Sequence, residues 1–286
     1  MMSKIMDGRE ISNTILNRIK KDILDKIDKG LRRPSLAVIY VGNDKGSLAY
    51  IKMIKRKSEK IGIDCNIHKF HSDITEEKLL NEMDKLNKDS LVDGILLQLP
   101  LPKKFNHNLI ISNINPNKDV DGVHYSNAGK LYQGDEVIIP CTPKGIMRLL
   151  EEYKVEIESK NVVVIGRSNI LGKPISMLML NRNATVTMCH SKTKNLRNVT
   201  MNADVIISCV GKVRLIEKDM VKEGSIIIDA GINDVDGKIV GDVNYDEVEQ
   251  KASLITPVPG GVGPMTIAML LENVMEGYSK NGTKTI

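Results

Sequence analysis

The fold of the second half of the chain is decided by the stretch Asn161-Val-Val-Val-Ile-Gly-Arg-Ser-Asn-Ile-Leu-Gly-Lys-Pro174. Its apolar run, Val162 to Ile165, suits a parallel strand that is covered on both faces. We expect the strand to break at Gly166 and a helix to begin near Gly172, because Pro174 fits a first helical turn. A helix that begins at a sheet edge offers N–H groups and a positive dipole end to a phosphate. The stretch therefore predicts a nucleotide-binding turn, although its glycine spacing is not G-x-G-x-x-G.

Four further strand ends follow this turn at the spacing of a doubly wound sheet. The strands are expected at 185–189, 204–210, 225–229 and 254–256, and small or polar residues follow each of them. In such folds the ligand lies outside the carboxyl ends of the parallel strands. The five turns are therefore the candidates for a dinucleotide site.

The residues after the second of these strands bear on which dinucleotide is bound. An NAD site usually has an Asp or Glu there, which holds the ribose 2′-hydroxyl. Here Ser191 and Lys192 follow the strand, and Arg167 belongs to the neighbouring turn. A cation and a hydroxyl pair with a 2′-phosphate, whereas a carboxylate would repel it. The sequence favours NADP; NAD is the alternative, with Arg167 and Ser191 holding an inorganic phosphate beside it.

The composition is that of a soluble globular protein with two domains. The chain has 286 residues, of which 41% are hydrophobic and 27% charged. With a net charge of +5, two Phe and no Trp, no nucleic-acid surface is expected. No leader and no membrane-spanning apolar run is found, so neither secretion nor a membrane partner is expected. The four cysteines lack C-x-x-C spacing and the five histidines lack H-E-x-x-H spacing, which predicts reduced thiols, a cytoplasmic location and no metal site.

The first half alternates helices and strands without a dinucleotide turn. Helices are expected at 8–29, 47–61 and 75–87 and strands at 35–41, 63–70 and 94–99; a last helix spans 265–278 before a frayed tail at 279–286. The second helix, with Ser47 as its expected N-cap, carries Tyr50 and Ile54 on one face. On helical spacing alone, Tyr50 is a core residue of an amphipathic helix.

Two polar features of the first half require more than packing. Gln98 ends an apolar strand, and a buried amide there needs hydrogen-bond partners from a loop or a ligand. Asp119 and Asp121 flank Val120 shortly before Gly122, and turn chemistry accounts for one of these carboxylates more easily than for both.

Seven blocks, in this order along nearly the whole chain, resemble the methylenetetrahydrofolate dehydrogenase/cyclohydrolase family of one-carbon metabolism. The last block is nearly diagnostic by itself. The blocks are the tyrosine helix after Tyr40-Val-Gly42, Gly94-Ile-Leu-Leu-Gln-Leu-Pro-Leu-Pro102, Lys118-Asp-Val-Asp-Gly122, Pro140-Cys-Thr-Pro-Lys-Gly145, Gly166-Arg-Ser168, Cys189-His-Ser-Lys-Thr193 and Pro257-Val-Pro-Gly-Gly-Val-Gly-Pro-Met-Thr266.

The resemblance implies an α/β fold of two lobes with a folate cleft between them, and a homodimer. The N-terminal α/β folate-binding lobe would comprise 1–142 plus 265–286, and the NADP-binding, Rossmann-like lobe with a doubly wound parallel sheet would comprise 143–264. Tyr50 would stack on the pterin, Asp121 would hold its amino-pyrimidine edge and Gln98 would reach the reacting centre. The resemblance further implies that Pro259 and Gly260 line the folate site and that Gly166, Arg167, Ser168, Ser191 and Ile232 bind the cofactor.

The chain departs from the family at position 54. The resemblance implies that members with both activities have a lysine four residues after the tyrosine. Here that residue is Ile54. Oxidation of 5,10-methylenetetrahydrofolate transfers a hydride and needs no protein base, so positioning carries most of the step. Hydrolysis of the methenyl product needs proton transfers, which a positioned Lys assists by typically ~10²- to 10⁴-fold. The sequence therefore predicts a dehydrogenase with weak or absent cyclohydrolase activity.

Two alternatives remain open from the sequence. The first is a fully bifunctional enzyme in which Lys52, Lys55 or a water held by Gln98 replaces the missing lysine and 10-formyltetrahydrofolate is the product. One or two helical positions turn a side chain by roughly 100° or 200°, which disfavours both lysines. The second is a noncatalytic dinucleotide-binding regulator, against which the retention of Tyr50, Gln98 and Asp121 argues.

Overall fold

A computed structural model describes residues 4–281, which divide into two compact units. The unit called here the six-stranded unit comprises 4–13, 131–135 and 139–266. The unit called the three-stranded unit comprises 14–130, 136–138 and 267–281. Part of the predicted frayed tail is helical up to Lys280, and residues 282–286 lie outside the described chain.

Within the described chain, strands and helices alternate along most of the sequence. The strands are β1 (Lys4–Ile5), β2 (Ser35–Val41), β3 (Asp64–Phe70), β4 (Gly94–Leu97), β5 (Asn161–Ile165), β6 (Thr185–Cys189), β7 (Val205–Ser208), β8 (Ile226–Asp229), β9 (Asn233–Val235), β10 (Lys238–Val240) and β11 (Leu254–Ile255). The helices are α1 (Gly8–Ile27), α2 (Lys45–Ile61), α3 (Glu76–Lys88), α4 (His107–Ser112), α5 (Tyr125–Tyr132), α6 (Cys141–Glu152), α7 (Gly172–Leu180), α8 (Leu196–Thr200), α9 (Tyr245–Val248) and α10 (Val262–Lys280), with a 3₁₀ turn at Lys218–Met220.

The three-stranded unit is built on a parallel sheet of order β3-β2-β4. β2 is central and apolar, and six of its seven residues are buried, as expected for a strand covered on both faces. Leu79 and Met83 of α3 pack with Ile39 and Ile95 of the sheet. The sheet therefore presents the carboxyl ends of β2 and β4 side by side, which positions the residues that follow them.

A buried ion pair fastens α10 at the amino end of this sheet. Asp93, just before β4, is fully buried and accepts two bonds of 2.6 Å from the Arg32 guanidinium, whose carbon lies 5.0 Å from the centre of the Tyr278 ring. The Tyr278 hydroxyl donates to the Arg32 carbonyl at 2.8 Å. The hydrogen bond to Asp93 is the main cause that raises the pKa of Arg32. Breaking such a pair costs about 3 to 5 kcal/mol, because one charge stays buried.

The six-stranded unit has a fully parallel sheet of order β1-β11-β8-β7-β5-β6. β6 and β7 flank β5, so the strand order reverses at β5, as it does in doubly wound folds. β9 and β10 form an antiparallel hairpin, which the Asp236-Gly237 pair predicts. The α/β class and the doubly wound sheet are confirmed.

Apart from shifted element ends, such as that of β4, which ends at Leu97 and leaves Gln98 just after it, the structure differs from the sequence predictions in three respects. The N-cap of α2 is Asp44, whose carboxylate accepts from the Ser47 N–H, so the prediction of Ser47 was wrong. Residues 4–13, expected in the first lobe, fall in the six-stranded unit because β1 pairs with β11. The short helices α4, α5, α8 and α9 were missed, since four to eight residues give little periodic signal.

Candidate active site

The helix that carries the first candidate residues begins just after β2. Its buried stripe consists of Ser47, Ile51, Ile54, Ser58 and Ile61. Tyr50 is half-buried beside this stripe, whereas Ile54 is completely buried. Position 54 therefore belongs to the apolar core of the unit, and its side chain offers no proton donor or acceptor.

Gln98 follows β4 directly and has an incomplete set of hydrogen bonds. Its backbone N–H donates to the Ile39 carbonyl at 2.9 Å, which continues the pairing of β4 with β2. Its Nε2 donates to the Leu99 carbonyl at 2.7 Å. Among the described residues, its buried Oε1 has no hydrogen-bond partner. A buried amide oxygen without a partner is costly, and a ligand donor would satisfy it.

The loop after residue 117 assigns different tasks to its two aspartates. Asp119 is fully buried and accepts from the N–H groups of Val123 and His124 and from Asn127 Nδ2 at 2.8–3.2 Å. It also pairs with Ile95 in a parallel bridge, which aligns the loop with β4. Asp121, two residues on, is only half-buried. The structure thus accounts for Asp119 by turn chemistry, and Asp121 stays a candidate site residue.

In the six-stranded unit, the turn after β5 requires glycine at two positions. Gly166 has φ +132°, and a Cβ there would collide with Cys209 Sγ after β7. A Cβ on Gly172 would collide with the Gly166 carbonyl. Ser168 Oγ accepts from the N–H groups of Leu171 and Gly172 at 3.2 and 3.3 Å, which closes the start of α7. Arg167 and Ser168 are exposed, so the turn presents a cation and a hydroxyl beside a helix start.

The turn after β6 presents its tip to solvent. The Thr193 hydroxyl accepts from the His190 N–H at 2.9 Å, and His190 Nδ1 accepts from the Lys192 N–H at 3.1 Å. These bonds close a tight turn in which Ser191 and Lys192 are exposed. No carboxylate occurs between residues 190 and 195, so the end of β6 has the composition that suits a phosphate.

Two buried carboxylates hold the ends of β7 and β8, and the sequence predictions missed both. Asp242 is fully buried and accepts from the N–H groups of Val210, Gly211 and Lys212 at 2.8–3.3 Å, from Ser208 Oγ at 2.9 Å and from Asn233 Nδ2 at 3.2 Å. Asp229 accepts from the N–H groups of Gly231, Asp242 and Val243 at 2.9–3.0 Å.

Glycines make room for these carboxylates. A Cβ on Gly231 would collide with the Asp242 carboxylate, and one on Gly241 would collide with that of Asp229. Burial, the largest cause, raises the pKa of Asp229 to about 6 against the effect of its hydrogen bonds. The dipeptide Gly241-Asp242 and the sequence Asp229-Ala-Gly231 were the available signals. Ile232, a predicted cofactor residue, follows this network and is 68% exposed.

The glycine-rich turn after β11 contains Pro259 and Gly260, the two residues that were predicted to line the folate site. Gly260 is buried with φ +123°, and its carbonyl accepts from the Arg9 N–H at 3.1 Å. Pro259 is exposed. Both lie in the six-stranded unit, whereas Tyr50, Gln98 and Asp121 lie in the three-stranded unit.

The remaining reactive groups give little further chemistry. Cys65, Cys141 and Cys189 are buried free thiols, and burial raises the pKa of half-buried Cys209 to about 12. Residues 4–281 contain no group of three His, Cys, Asp or Glu side chains that could hold a metal ion. In the same part of the chain, no helix is both long and apolar enough to cross a membrane.

The six-stranded unit fits a dinucleotide. A pyrophosphate can approach the backbone closely at Gly166, which has no Cβ, and can meet the N–H groups at the start of α7. A ribose phosphate can pair with the cations and hydroxyls in the turns after β5 and β6. Gly166, Arg167 and Ser168 would hold the pyrophosphate side, Ser191 the ribose phosphate, and Ile232 an apolar part of the group.

Comparisons with known proteins agree with this geometry. Residues 6–121 match the catalytic domain and residues 140–282 the NAD(P)-binding domain of tetrahydrofolate dehydrogenase/cyclohydrolase. The bifunctional protein FolD of Thermodesulfovibrio yellowstonii is 48% identical over 276 residues, which are 96% of each chain.

Solved structures give the same result. The FolD methylenetetrahydrofolate dehydrogenase/cyclohydrolase of Campylobacter jejuni superposes with a TM-score of 0.95 at 46% identity, covering 97% of this chain and 99% of that one. The Trypanosoma brucei enzyme, described as complexed with NADP and an inhibitor, has a TM-score of 0.93 at 33% identity over 98% of both chains. The cofactor prediction is confirmed at the level of an NAD(P)-binding domain. The chain belongs to the tetrahydrofolate dehydrogenase/cyclohydrolase family.

Proposed function

We propose that the chain oxidises 5,10-methylenetetrahydrofolate to 5,10-methenyltetrahydrofolate with hydride transfer to NADP, and that its cyclohydrolase activity is weak or absent. The dehydrogenase part is supported by family membership and by the presence of Tyr50, Gln98 and Asp121. The observation that carries the second part is Ile54, which is completely buried one helical turn after Tyr50.

The oxidation depends on orientation. The cofactor supplies a hydride acceptor, and the nitrogens that flank the methylene carbon of the substrate stabilise the cation that remains. In this proposal Tyr50 stacks on the pterin, Asp121 accepts from its amino-pyrimidine edge and Gln98 reaches the reacting centre. Pro259 and Gly260 line the folate. No side chain has to exchange a proton, so the loss of a lysine leaves this step intact.

Hydrolysis of the methenyl ring makes a different demand. Water must lose protons as it attacks, and a ring nitrogen must gain one before the ring opens. A positioned acid or base assists by typically ~10²- to 10⁴-fold. Isoleucine at position 54 provides neither, because its fully buried side chain is apolar.

The bifunctional alternative is favoured by the relatives, which are named bifunctional. Lys52 is exposed, and Lys55 Nζ lies 3.8 Å from Glu59 Oε1 on the surface of α2. Neither lysine therefore replaces the missing amine well. Lys57 is the better substitute, because it follows Ile54 by three residues and thus points within roughly 60° of it. Burial, with Arg56 and Lys60, lowers the pKa of Lys57, which suits a proton-transfer group.

A noncatalytic dinucleotide-binding regulator would need only the six-stranded unit. The polar groups kept in the three-stranded unit argue against it, above all the unpartnered Gln98 Oε1. Isothermal titration separates the two ideas: cofactor binding without any folate binding would favour the regulator.

NADP is preferred over NAD in this proposal because Arg167, Ser191 and Lys192 are exposed on adjacent turns. We also infer a cytoplasmic homodimer. Free cysteines suit a reducing compartment. The homodimer rests on the family resemblance, and light scattering of the purified chain tests it: a monomeric mass at micromolar concentration would reject it.

The decisive experiment is a time course on the purified protein. Methylenetetrahydrofolate is supplied with NADP, and in parallel with NAD, while the reduced cofactor and the methenyl product are followed separately. The methenyl compound is also supplied alone. We expect faster turnover with NADP and a methenyl product that decays no faster than in buffer.

A Lys57→Met variant serves as the matched arm. If the wild-type chain hydrolyses the methenyl compound well above the buffer rate and Lys57→Met does not, the bifunctional alternative holds and Lys57 carries it. If the wild-type chain and Lys57→Met hydrolyse the methenyl compound equally fast and well above the buffer rate, neither position 54 nor Lys57 limits the reaction. A chain that reduces no cofactor at all would overturn the dehydrogenase proposal.

A further inference from the structure

The buried carboxylates Asp229 and Asp242, which hold the ends of β7 and β8, have no role in the proposed reaction, although they lie at the carboxyl edge of the dinucleotide sheet. A buried carboxylate is costly unless hydrogen bonds compensate it. Asp242 compensates this cost by accepting three consecutive backbone N–H groups, those of Val210, Gly211 and Lys212. It thereby fixes the path of the chain where β7 ends and an exposed loop begins.

The same carboxylate ties this loop to the neighbouring one. Asp242 also accepts from Asn233 Nδ2, and Asn233 is the residue after Ile232. Asp229 holds Asp242 in turn, since its Oδ1 accepts from the Asp242 N–H at 3.0 Å. The exposed Val210 and the exposed Ile232 are therefore placed by one hydrogen-bonded unit beneath them.

The topology indicates which part of a dinucleotide would meet these loops. The turn after β5 suits the pyrophosphate, and the turn after β6 suits the 2′-phosphate of the adenosine ribose. β6 and β7 lie on opposite sides of β5. The nucleotide at the other end of the pyrophosphate must then extend over the ends of β7 and β8, where Asp242 and Asp229 lie.

We propose that Asp242, held by Asp229, is a positioning residue for the nicotinamide half of the NADP site. It sets the loop that begins at Val210 and the loop that carries Ile232, between which the nicotinamide ring is oriented for hydride transfer. This inference rests on the proposed NADP-dependent function. It concerns a residue that acts through the backbone of these loops and touches neither the cofactor nor the folate.

The test compares two ligands on Asp242→Asn. NADP spans both halves of the site, whereas 2′,5′-ADP carries only the adenosine half with its 2′-phosphate. We expect the Kd for NADP and the turnover number each to worsen about tenfold, because an amide provides one acceptor oxygen where the carboxylate provides two. The Kd for 2′,5′-ADP should stay within about twofold of wild type, as its contacts lie at β5 and β6.

Asp204→Asn is the matched control. Asp204 also accepts a backbone N–H, that of Asn161 at 2.8 Å, but it lies at the amino ends of the strands of the same sheet. Its variant should leave the Kd of both ligands unchanged. Should Asp242→Asn fold poorly, Ser208→Ala removes a single donor to Asp242 and should weaken NADP alone, about threefold.

Each outcome decides the question. Equal weakening of NADP and 2′,5′-ADP would reduce Asp242 to general support of the unit, and unchanged NADP binding and turnover would also reject the inference. A wild-type chain that binds neither ligand would overturn the proposed function itself and this inference with it. If the wild-type chain binds both ligands and Asp242→Asn binds them with unchanged Kd and turns over at the same rate, only the inference is overturned.

Discussion

The carboxyl edges of the two parallel sheets hold their candidate site residues in different ways. In the three-stranded unit Tyr50, Gln98 and Asp121 come from a helix, a strand end and a loop, and each contributes its own side chain. In the six-stranded unit the loops are set by Asp229 and Asp242, which are buried beneath them. In the proposed site the first edge relies on three side chains, whereas the second relies on exposed side chains and also on buried carboxylates that set the path of the backbone.

This difference shows where a single substitution can change chemistry without changing the fold. At position 54 of α2 the chain has a buried isoleucine, which provides no proton donor, and we expect a lysine there to provide one. At position 242 a change would move several loop residues together, because one carboxylate bonds all of them. We therefore expect gains of activity at the first edge and correlated losses at the second.

The largest effect is expected from Ile54→Lys. The new amine stands one turn after Tyr50, where a proton-transfer group would assist hydrolysis of the methenyl compound by ~10²- to 10⁴-fold. Its aliphatic stem can follow the apolar stripe toward solvent, and burial should lower its pKa. The measurement is the rate of methenyl hydrolysis with the compound supplied alone.

Ile54→Met is the control for this gain, since it keeps an unbranched apolar chain without the amine. Dehydrogenase turnover should change little in either variant. If Ile54→Lys hydrolyses the methenyl compound no faster than Ile54→Met, side-chain identity at this position does not separate the two activities, and the contrast between the two edges weakens.

A smaller effect is expected in the pH dependence of stability at the other edge. Burial raises the pKa of Asp229 from 3.8 to about 6, so the folded chain holds this proton more tightly than the unfolded chain does. The resulting stability is fully present below the unfolded pKa and is lost as pH rises through about 6. Relative to Asp229→Asn, the wild type should lose about 1 kcal/mol of unfolding free energy between about pH 5 and about pH 7.

Urea unfolding followed by circular dichroism measures this difference. Asp204→Asn provides the opposite case, because hydrogen bonds from Lys222 and Asn161 lower the pKa of Asp204. Its stability contribution is lost only as pH falls through that lowered value, so the comparison with wild type should be flat over the same range. A flat curve for Asp229→Asn as well would mean that Asp229 titrates in the folded chain as it does in the unfolded chain.

The smallest change in the free energy of unfolding is expected from a substitution of Gln98. The same substitution should clearly lower dehydrogenase activity. Gln98→Leu removes the buried Oε1 that lacks a partner together with the Nε2 that donates to the Leu99 carbonyl, and it keeps the volume of the side chain, so the two effects on stability oppose each other. Stability should change by less than about 1 kcal/mol, while kcat/KM for the folate falls about tenfold as one hydrogen bond to the substrate is lost. Steady-state kinetics with NADP as the second substrate gives this ratio.

The Kd for NADP serves as the internal control for Gln98→Leu, since Gln98 lies outside the unit that carries the dinucleotide turns. Wild-type kcat/KM with this variant would show that the free oxygen does not meet the substrate. The first edge would then depend on fewer side chains than the comparison assumes.

Much of the architecture could be predicted because it rests on local patterns. Strong apolar runs gave β2, β5 and β8 within one residue, and Gly166 with Pro174 gave the turn between β5 and α7. The Asp236-Gly237 pair gave the hairpin of β9 and β10 for the same reason, since its turn chemistry is contained in two residues.

The parts that could not be predicted depend on contacts between distant residues. Asp242 is thirty-two residues from Val210 in sequence, and only the folded sheet brings its carboxylate under that loop. The separate tasks of Asp119 and Asp121 likewise needed the bridge between Asp119 and Ile95. The N-cap of α2 was misassigned because Asp44 and Ser47 are both good caps and their spacing allows either.

The pairing of β1 with β11 has a consequence for how the chain is made. Lys4 and Ile5 are synthesised before their partners Leu254 and Ile255, which follow about 250 residues later in the sequence. Contacts of such long sequence separation slow folding, because a large loop must close before they form. The edge strand β1 of the dinucleotide sheet therefore cannot pair until residues 254 and 255 have been synthesised. A fragment that begins after residue 142 would lack this strand.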